Sequence, residues 1–166
     1  MFMEGDFVVH GQDGVFEIVS KGKLNISCVD REKEYFTLQS VYRKGTIAYV
    51  PVNKAEQAMR LIISSKEAEG IIAEMSKLNE IEIADEKNRE RQYREIVQKH
   101  DCREAIQLLK TLYVRKQKRL EAGKCVTALD EKYLRLVEEK ILEEFSASLD
   151  LPKEEVQKYI SEKTNY

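Results

Sequence analysis

The sequence predicts an α+β protein in which a small five-stranded β-barrel, residues 1 to 52, is followed by an all-α helical domain, residues 53 to 166. Two observations support this fold class. Up to residue 52 the apolar residues alternate with a period of two, and the segments between them are rich in turn residues. From residue 53 onward the apolar residues recur at helical spacing, as they do on one face of an amphipathic helix.

The clearest part of the barrel is the segment from Glu34 to Val52, EYFTLQSVYRKGTIAYVPV. Its first half alternates in character and is rich in aromatic and β-branched residues, which favours a strand. Arg43-Lys44-Gly45 supplies a short polar turn, and residues 47 to 50 resume the extended pattern. The segment therefore predicts a β-hairpin, which Pro51 ends because proline cannot donate a ladder hydrogen bond.

Three shorter apolar segments precede the hairpin, at residues 7–9, 15–19 and 24–28, and turn residues separate them. Together with the hairpin they give five strands in about 50 residues. At that size a sheet usually curls into an SH3-like barrel, since closure removes exposed edges.

The second part of the chain predicts a series of helices. The first should begin at Asn53, with an apolar stripe that runs to Ile63, and the second near Ser65. Residues 79–88 have no helical stripe and are expected to form a connector. Later helix starts are marked by Asn88, by the capping pairs Asp101/Glu104 and Thr127/Asp130, and by Pro152.

Positive charge is concentrated in one part of the chain. The formal net charge is -2, yet residues 85–124 carry 12 Lys/Arg against 7 Asp/Glu. A cationic helix is typical of a solvated surface and is also what nucleic-acid phosphates require. No base-reading motif accompanies it, so binding to DNA should depend little on sequence.

No signature of catalysis, metal binding or membrane insertion is present. Cys28, Cys102 and Cys125 are far apart, and His100 and Cys102 lack a spacing that would make a catalytic pair. We therefore expect no enzymatic activity, no metal and no cofactor. No apolar run approaches the ~18 residues of a membrane span, and the N-terminus lacks a signal-peptide pattern, so a cytoplasmic protein without membrane contact is expected.

Several segments resemble a known family. They are Gly5-Asp6-Phe7-Val8-Val9-His10, Gly14-Val15, Tyr35-Phe36-Thr37-Leu38 and Tyr49-Val50-Pro51-Val52. These segments are similar to the RNA polymerase-interacting domain shared by the CarD/CdnL regulators and the transcription-repair coupling factor. The helical remainder is similar to that of CarD and CdnL, so the resemblance covers nearly the whole chain and is strongest in the barrel.

The resemblance implies a bacterial transcription regulator whose Tudor-like barrel docks on the β subunit of RNA polymerase. An exposed strand would pair with the partner's sheet. The helical domain would lie against promoter DNA and modulate the stability of the open complex. On this basis the polymerase-binding residues are predicted to be Tyr35, Tyr49, Val50 and Pro51, and the DNA-binding residues Arg89, Arg91, Arg115, Lys116, Lys118 and Arg119.

The sequence departs from the family pattern at Arg89, where relatives carry a tryptophan that acts as a wedge in the minor groove. This chain has no tryptophan. An arginine can enter a narrow minor groove, but it offers less apolar area to hold an unstacked base step. The strength of the effect on open complexes, and its sign, are therefore open.

A second hypothesis is that the chain is a peptide-binding adaptor with no role in transcription. Its SH3-like barrel would grip a peptide in an aromatic groove, and its helices would serve self-association. The groove would be built from Tyr35, Phe36, Tyr42 and Tyr49. The sequence also leaves the oligomeric state open between a monomer and a strand-exchanged dimer.

Overall fold

The computed structural model describes residues 1–164. The chain forms two compact units, Met1–Ile63 and Ser64–Tyr166. The first contains a five-stranded sheet and the second contains helices, which confirms the α+β class. The first unit extends beyond the predicted boundary at residue 52 because the last strand of its sheet lies after residue 58.

The first unit is built on an antiparallel sheet. Its strands are β1 Phe7–His10, β2 Val15–Lys23, β3 Glu34–Ser40, β4 Ile47–Pro51 and β5 Met59–Leu61. The strand order is β4-β3-β2-β1-β5. Within the described residues β4 and β5 are edges that do not pair with each other, so the five-stranded sheet is open and the expected closed barrel is not formed.

The hairpin of β3 and β4 agrees with the sequence analysis. The two strands pair from Tyr35 opposite Pro51 to Gln39 opposite Ile47. In the turn, the Thr46 N–H donates to the Arg43 carbonyl at 3.1 Å. Gly45 has a φ of 79°, a left-handed conformation that glycine adopts without steric cost.

Two of the predicted elements are wrong. Residues 24–28 form a loop and not a separate strand. The expected turn at Lys21-Gly22-Lys23 is instead the end of β2, which pairs with β3 along that length. Residues 53–63 do not form one helix. They contain the end of a 3₁₀ turn at Val52–Lys54, a short helix α1 at Ala55–Ala58, and then β5. β5 pairs with the free side of β1, with Arg60 opposite Val9.

The apolar core of the first unit lies on one face of the sheet. Strand residues of β1 to β4 meet there with α1 and the start of β5, which explains why the segment after β4 folds back. The buried side chains of this core are Val8, Phe16, Ile18, Phe36, Leu38, Val50, Ala55 and Met59.

The second unit is helical. Its helices are α2 Ser65–Glu74, α3 Arg89–Lys99, α4 Cys102–Glu121, α5 Ala128–Leu149 and α6 Lys153–Thr164, and a 3₁₀ turn at Met75–Lys77 follows α2. Residues 78–88 form neither helix nor strand, as expected of a connector. α5 packs against α2, α3, α4 and α6 and is therefore the central helix.

Local capping fixes the starts of three of these helices. The side chains of Asp101 and Thr127 accept hydrogen bonds from the N–H groups of Glu104 and Asp130, as the two capping pairs predicted. α2 begins at Ser65, as expected, and the preceding residue Ser64 caps it by forming a capping box with Glu67. None of the helices in the described part of the chain has the length and apolar character needed to cross a bilayer.

Candidate functional site

β4 forms one edge of the sheet in the first unit. It pairs with β3 on one side, where Tyr49 lies opposite Thr37 and Val50 opposite Phe36. It also stands at one end of the strand order. No other strand of the described chain uses the outward side of its main chain. An edge of this kind can accept a further strand from a partner.

The residues predicted to bind polymerase do not share one surface. Tyr49 is 40% exposed, whereas Val50 lies in the apolar core. Tyr35 is buried as well, and its hydroxyl accepts a hydrogen bond from the Asp30 N–H at 3.1 Å. Pro51 is half-buried. Of these four, Tyr49 alone offers a large exposed side chain, and Val50 can contribute only through its main chain.

Ile47 is a surface residue that the sequence analysis did not select. Its side chain is 53% exposed. Because side chains two residues apart on a strand point to the same face, Ile47 and Tyr49 lie together on the face opposite Val50. We call them the β4 pair. The alternation of residues 47 to 51 already contained this signal.

The groove required by the adaptor hypothesis is not assembled. Tyr35 and Phe36 are both buried, Phe36 within the core of the sheet. They also lie on opposite faces, since they are consecutive residues of β3. The four aromatic residues therefore do not form one exposed peptide-binding surface.

A buried carboxylate lies between three helices of the second unit. Asp130, in the first turn of α5, is 2% exposed. Its two oxygens each accept a hydrogen bond from the Nε of an arginine at 3.0 Å, Oδ1 from Arg89 and Oδ2 from Arg115. The Tyr93 hydroxyl also donates to Oδ1, at 3.0 Å. One carboxylate thus joins α3, α4 and α5.

Two further residues complete this group. Arg89 Nη2 donates to the Thr127 hydroxyl at 3.2 Å. Arg115 donates to Glu86 through Nη1 and Nη2, at 2.8 and 3.1 Å. Glu86 lies in the connector before α3, so the connector is fastened to α4 at this point. We call the group the Asp130 cluster, which consists of Glu86, Arg89, Tyr93, Arg115, Thr127 and Asp130.

The charges of the Asp130 cluster stabilise one another. Burial raises the pKa of Asp130, but the hydrogen bonds from Arg115, Arg89 and Tyr93 outweigh this effect and hold the pKa below its usual value. The hydrogen bond from Arg115 lowers the pKa of Glu86. Burial, together with the Asp130 carboxylate, raises the pKa of Tyr93 to about 12. At neutral pH both acids are therefore ionised and the tyrosine is protonated.

Of the six residues predicted to bind DNA, two lie within the Asp130 cluster and four lie outside it. Arg89 and Arg115 meet at Asp130 and have side chains only 16% and 23% exposed. Arg119 Nε donates to the Cys125 carbonyl at 2.6 Å. Arg91 is well exposed and pairs with Glu95 at 3.1 Å, Lys118 is exposed, and Lys116 is half-buried.

The position of Arg89 bears on the wedge expected from the sequence. Its guanidinium donates to Asp130, Thr127 and the Glu86 carbonyl, the last at 3.0 Å. A side chain held by three partners inside the unit is a support for helix packing. In this conformation Arg89 does not project as a tryptophan wedge would.

The long-range part of the Asp130 cluster could not be read from sequence. Thr127 and Asp130 were identified as a capping pair, which is a local pattern. The partners Arg89 and Arg115 come from other helices, and no fixed spacing connects them to Asp130. The sequence marked Asp130 only as part of a capping pair, and such pairs are common at helix starts.

One comparison with known proteins identifies the first unit. Residues 2–63 match the family model described as the CarD-like/TRCF RID domain. The match includes all five strands and ends at the last residue of the first compact unit. No curated protein matches the chain.

Proposed function

We propose that this chain is a transcription regulator that binds the β subunit of RNA polymerase through β4, because residues 2–63 match the model of the CarD-like/TRCF RID domain, a domain that interacts with RNA polymerase. The chain would act by binding and not by catalysis, in the bacterial cytoplasm. The resemblance found in the sequence and the family model agree on the same residues, and this agreement supports the proposal.

The observation that carries the proposal is the free edge of β4 with its exposed β4 pair. A strand of the β subunit added to this edge would gain main-chain hydrogen bonds, and Ile47 and Tyr49 would supply apolar contacts on one face. Aromatic residues at the centre of an interface often contribute much of the binding energy. Tyr49 is therefore the side chain whose loss should weaken docking most.

Replacement of Tyr49 tests the docking surface. We expect Tyr49→Ala to weaken binding to core RNA polymerase about tenfold, equivalent to ~1.4 kcal/mol. Biolayer interferometry with immobilised polymerase measures this change. Leu61→Ala is the matched control, because Leu61 is a comparably exposed apolar residue on the opposite edge strand β5. Unchanged binding by Tyr49→Ala, or equal losses for both variants, would reject docking through β4.

We further propose that the helical unit contacts promoter DNA, largely independently of sequence, and modulates open-complex stability. The exposed cations Lys118 and Arg91, with the half-buried Lys116, would bind backbone phosphates. Docking on polymerase would raise the local concentration of this weak contact. Arg89 and Arg115 would support the fold of the unit while the Asp130 cluster is closed.

A further inference from the structure

The two edges of the Arg115 guanidinium hold different kinds of ligand. Nε donates to Asp130, which is buried, while Nη1 and Nη2 donate to Glu86, whose side chain is 62% exposed. The inner bond is shielded from water, whereas the outer pair of bonds lies in a high dielectric and is screened by salt. The ligand at the outer edge is therefore the exchangeable one.

The outer edge has the geometry of an oxyanion site. Two parallel N–H donors of one guanidinium grip two oxygens of Glu86 at 2.8 and 3.1 Å. The same planar fork binds carboxylate and phosphate, because both present two oxygens at a matching separation. Glu86 thus occupies the position that a phosphate group would take.

A second cation lies beside this site. Arg89 Nη1 donates to the main-chain carbonyl of Glu86 at 3.0 Å, so both arginines contact the same residue. With the Glu86 carboxylate withdrawn, two guanidinium groups would face one buried carboxylate, that of Asp130. The cluster would then carry a net positive charge open to solvent.

Glu86 is presented by a turn whose internal hydrogen bonds do not involve Arg115. The Asp85 side chain accepts hydrogen bonds from the Lys87 N–H at 3.0 Å and from Asn88 Nδ2 at 2.8 Å. The Asn88 N–H also donates to the Asp85 carbonyl at 3.2 Å. Since these bonds lie within the turn, the Glu86 side chain can leave Arg115 without unfolding of the turn.

We infer that the outer edge of Arg115, with Arg89 beside it, is a phosphate-binding site that Glu86 occupies as an internal competitor. The choice of a nucleic-acid phosphodiester as the natural ligand rests on the proposed DNA contact. A phosphate must displace the Glu86 carboxylate, so the apparent affinity for phosphate equals the affinity of the open site multiplied by the fraction of molecules in which the site is open. Glu86 would thereby keep the helical unit from binding phosphate strongly until polymerase brings DNA close.

The site itself is tested with inorganic phosphate, without DNA. The Nε–H signals of arginine side chains are followed by nuclear magnetic resonance at constant ionic strength, in the full-length chain and in Glu86→Gln. We expect a saturable shift of the Arg115 signal whose midpoint is at least about fivefold lower in Glu86→Gln, because the competitor has lost its charge. Glu95→Gln is the control, since it removes a carboxylate from the exposed pair with Arg91.

The possible outcomes separate the site from its ligand. Equal midpoints in Glu86→Gln and the unchanged chain, or a shift that never saturates, would overturn the inference. Unfolding of Glu86→Gln would be recognised by Tyr93 chemical shifts equal to those of an unfolded chain. In that case Glu86→Ala, which also removes the charge and keeps the turn residues Asp85 and Asn88, decides by the same criterion.

Duplex DNA then tests the natural ligand. If it is a phosphodiester, the log-log salt dependence of DNA binding should become steeper by roughly 0.9 in Glu86→Gln, as expected for one added phosphate contact. An unchanged slope with a positive phosphate result would keep the site and reject DNA as its ligand. Absence of DNA binding by every variant would reject the proposed DNA contact, while the phosphate titration still decides the inference.

Discussion

Asp130 shows how a single residue can fix the arrangement of three helices. A buried carboxylate is costly to desolvate, and here the cost is offset by two guanidinium groups and a phenol that donate to it. Each donor comes from a different turn of α3 or α4. The unit therefore depends on Asp130 more than its single charge suggests, since its removal leaves two cations half-enclosed with fewer partners.

We expect Asp130→Ala to lower the free energy of unfolding by about 3–5 kcal/mol, the cost of breaking a buried ion pair from one side. Urea denaturation monitored by circular dichroism measures this loss. The neighbouring Glu131 provides the control, because its pair with Arg135 is exposed, and Glu131→Ala should cost less than about 1 kcal/mol. Similar losses for both variants would contradict a central role of Asp130.

The acids of the Asp130 cluster also predict a pH dependence. The pKa values of Asp130 and Glu86 are lower in the folded chain than their ordinary values. Their contribution to stability is present above the unfolded pKa, about 4, and is lost as the pH falls through the folded pKa. Urea unfolding between pH 7 and pH 2.5 should show this loss, with a smaller acid decrease in Glu86→Gln. Parallel curves for the two proteins would show that Glu86 does not contribute.

At the scale of elements, the sequence predicted the turns and helix caps that neighbouring residues determine. It did not predict the pairing of β1 with β5, which are distant in sequence. The turn at Gly45 and the caps at Asp101 and Thr127 follow from neighbouring residues, and the structure has them. β5 was expected to be helical, because Met59 belongs to an apolar stripe at helical spacing. Its actual conformation is set by pairing with β1, a contact between distant parts of the sequence that propensity does not contain.

The start of α2 offers a test of one such local signal. The Ser64 hydroxyl accepts from the Glu67 N–H at 3.2 Å, and the Glu67 carboxylate accepts from the Ser64 N–H at 2.8 Å. We expect Ser64→Ala to destabilise the chain by about 1 kcal/mol in urea unfolding. Ser65→Ala, one residue inside the helix, should change stability by only a few tenths of a kcal/mol. The reverse order would place the cap at Ser65.

At the scale of the molecule, the two units divide the proposed work. The fold class, and the similarity of the first unit to the CarD-like/TRCF RID domain, were predicted from sequence, because strand alternation and several short motifs lie in continuous segments. The DNA surface was harder to predict, since composition does not distinguish a solvated arginine from one held inside a cluster. Arg89 and Arg115 carry the same charge as the exposed Lys118, but both arginines are paired with the buried Asp130.

A variant of the helical unit tests this division. We expect Lys116→Gln combined with Lys118→Gln to reduce the slope of log K against log salt for duplex DNA by up to roughly 1.8, while binding to polymerase alone stays unchanged. The open-complex half-life on one promoter should also change relative to the unchanged chain. Lys66→Gln, an exposed lysine on α2, is the control. Equal loss of polymerase binding would contradict separate roles for the units.

The open sheet has one further consequence, for self-association. An uncovered strand edge can recruit identical copies and grow into a fibre, but the two edges here are poor templates for each other. β5 has only three residues, and β4 is closed at one end by Pro51, which has no N–H to offer. A short strand from a partner can therefore pair with β4, while pairing of β4 and β5 between identical copies is disfavoured.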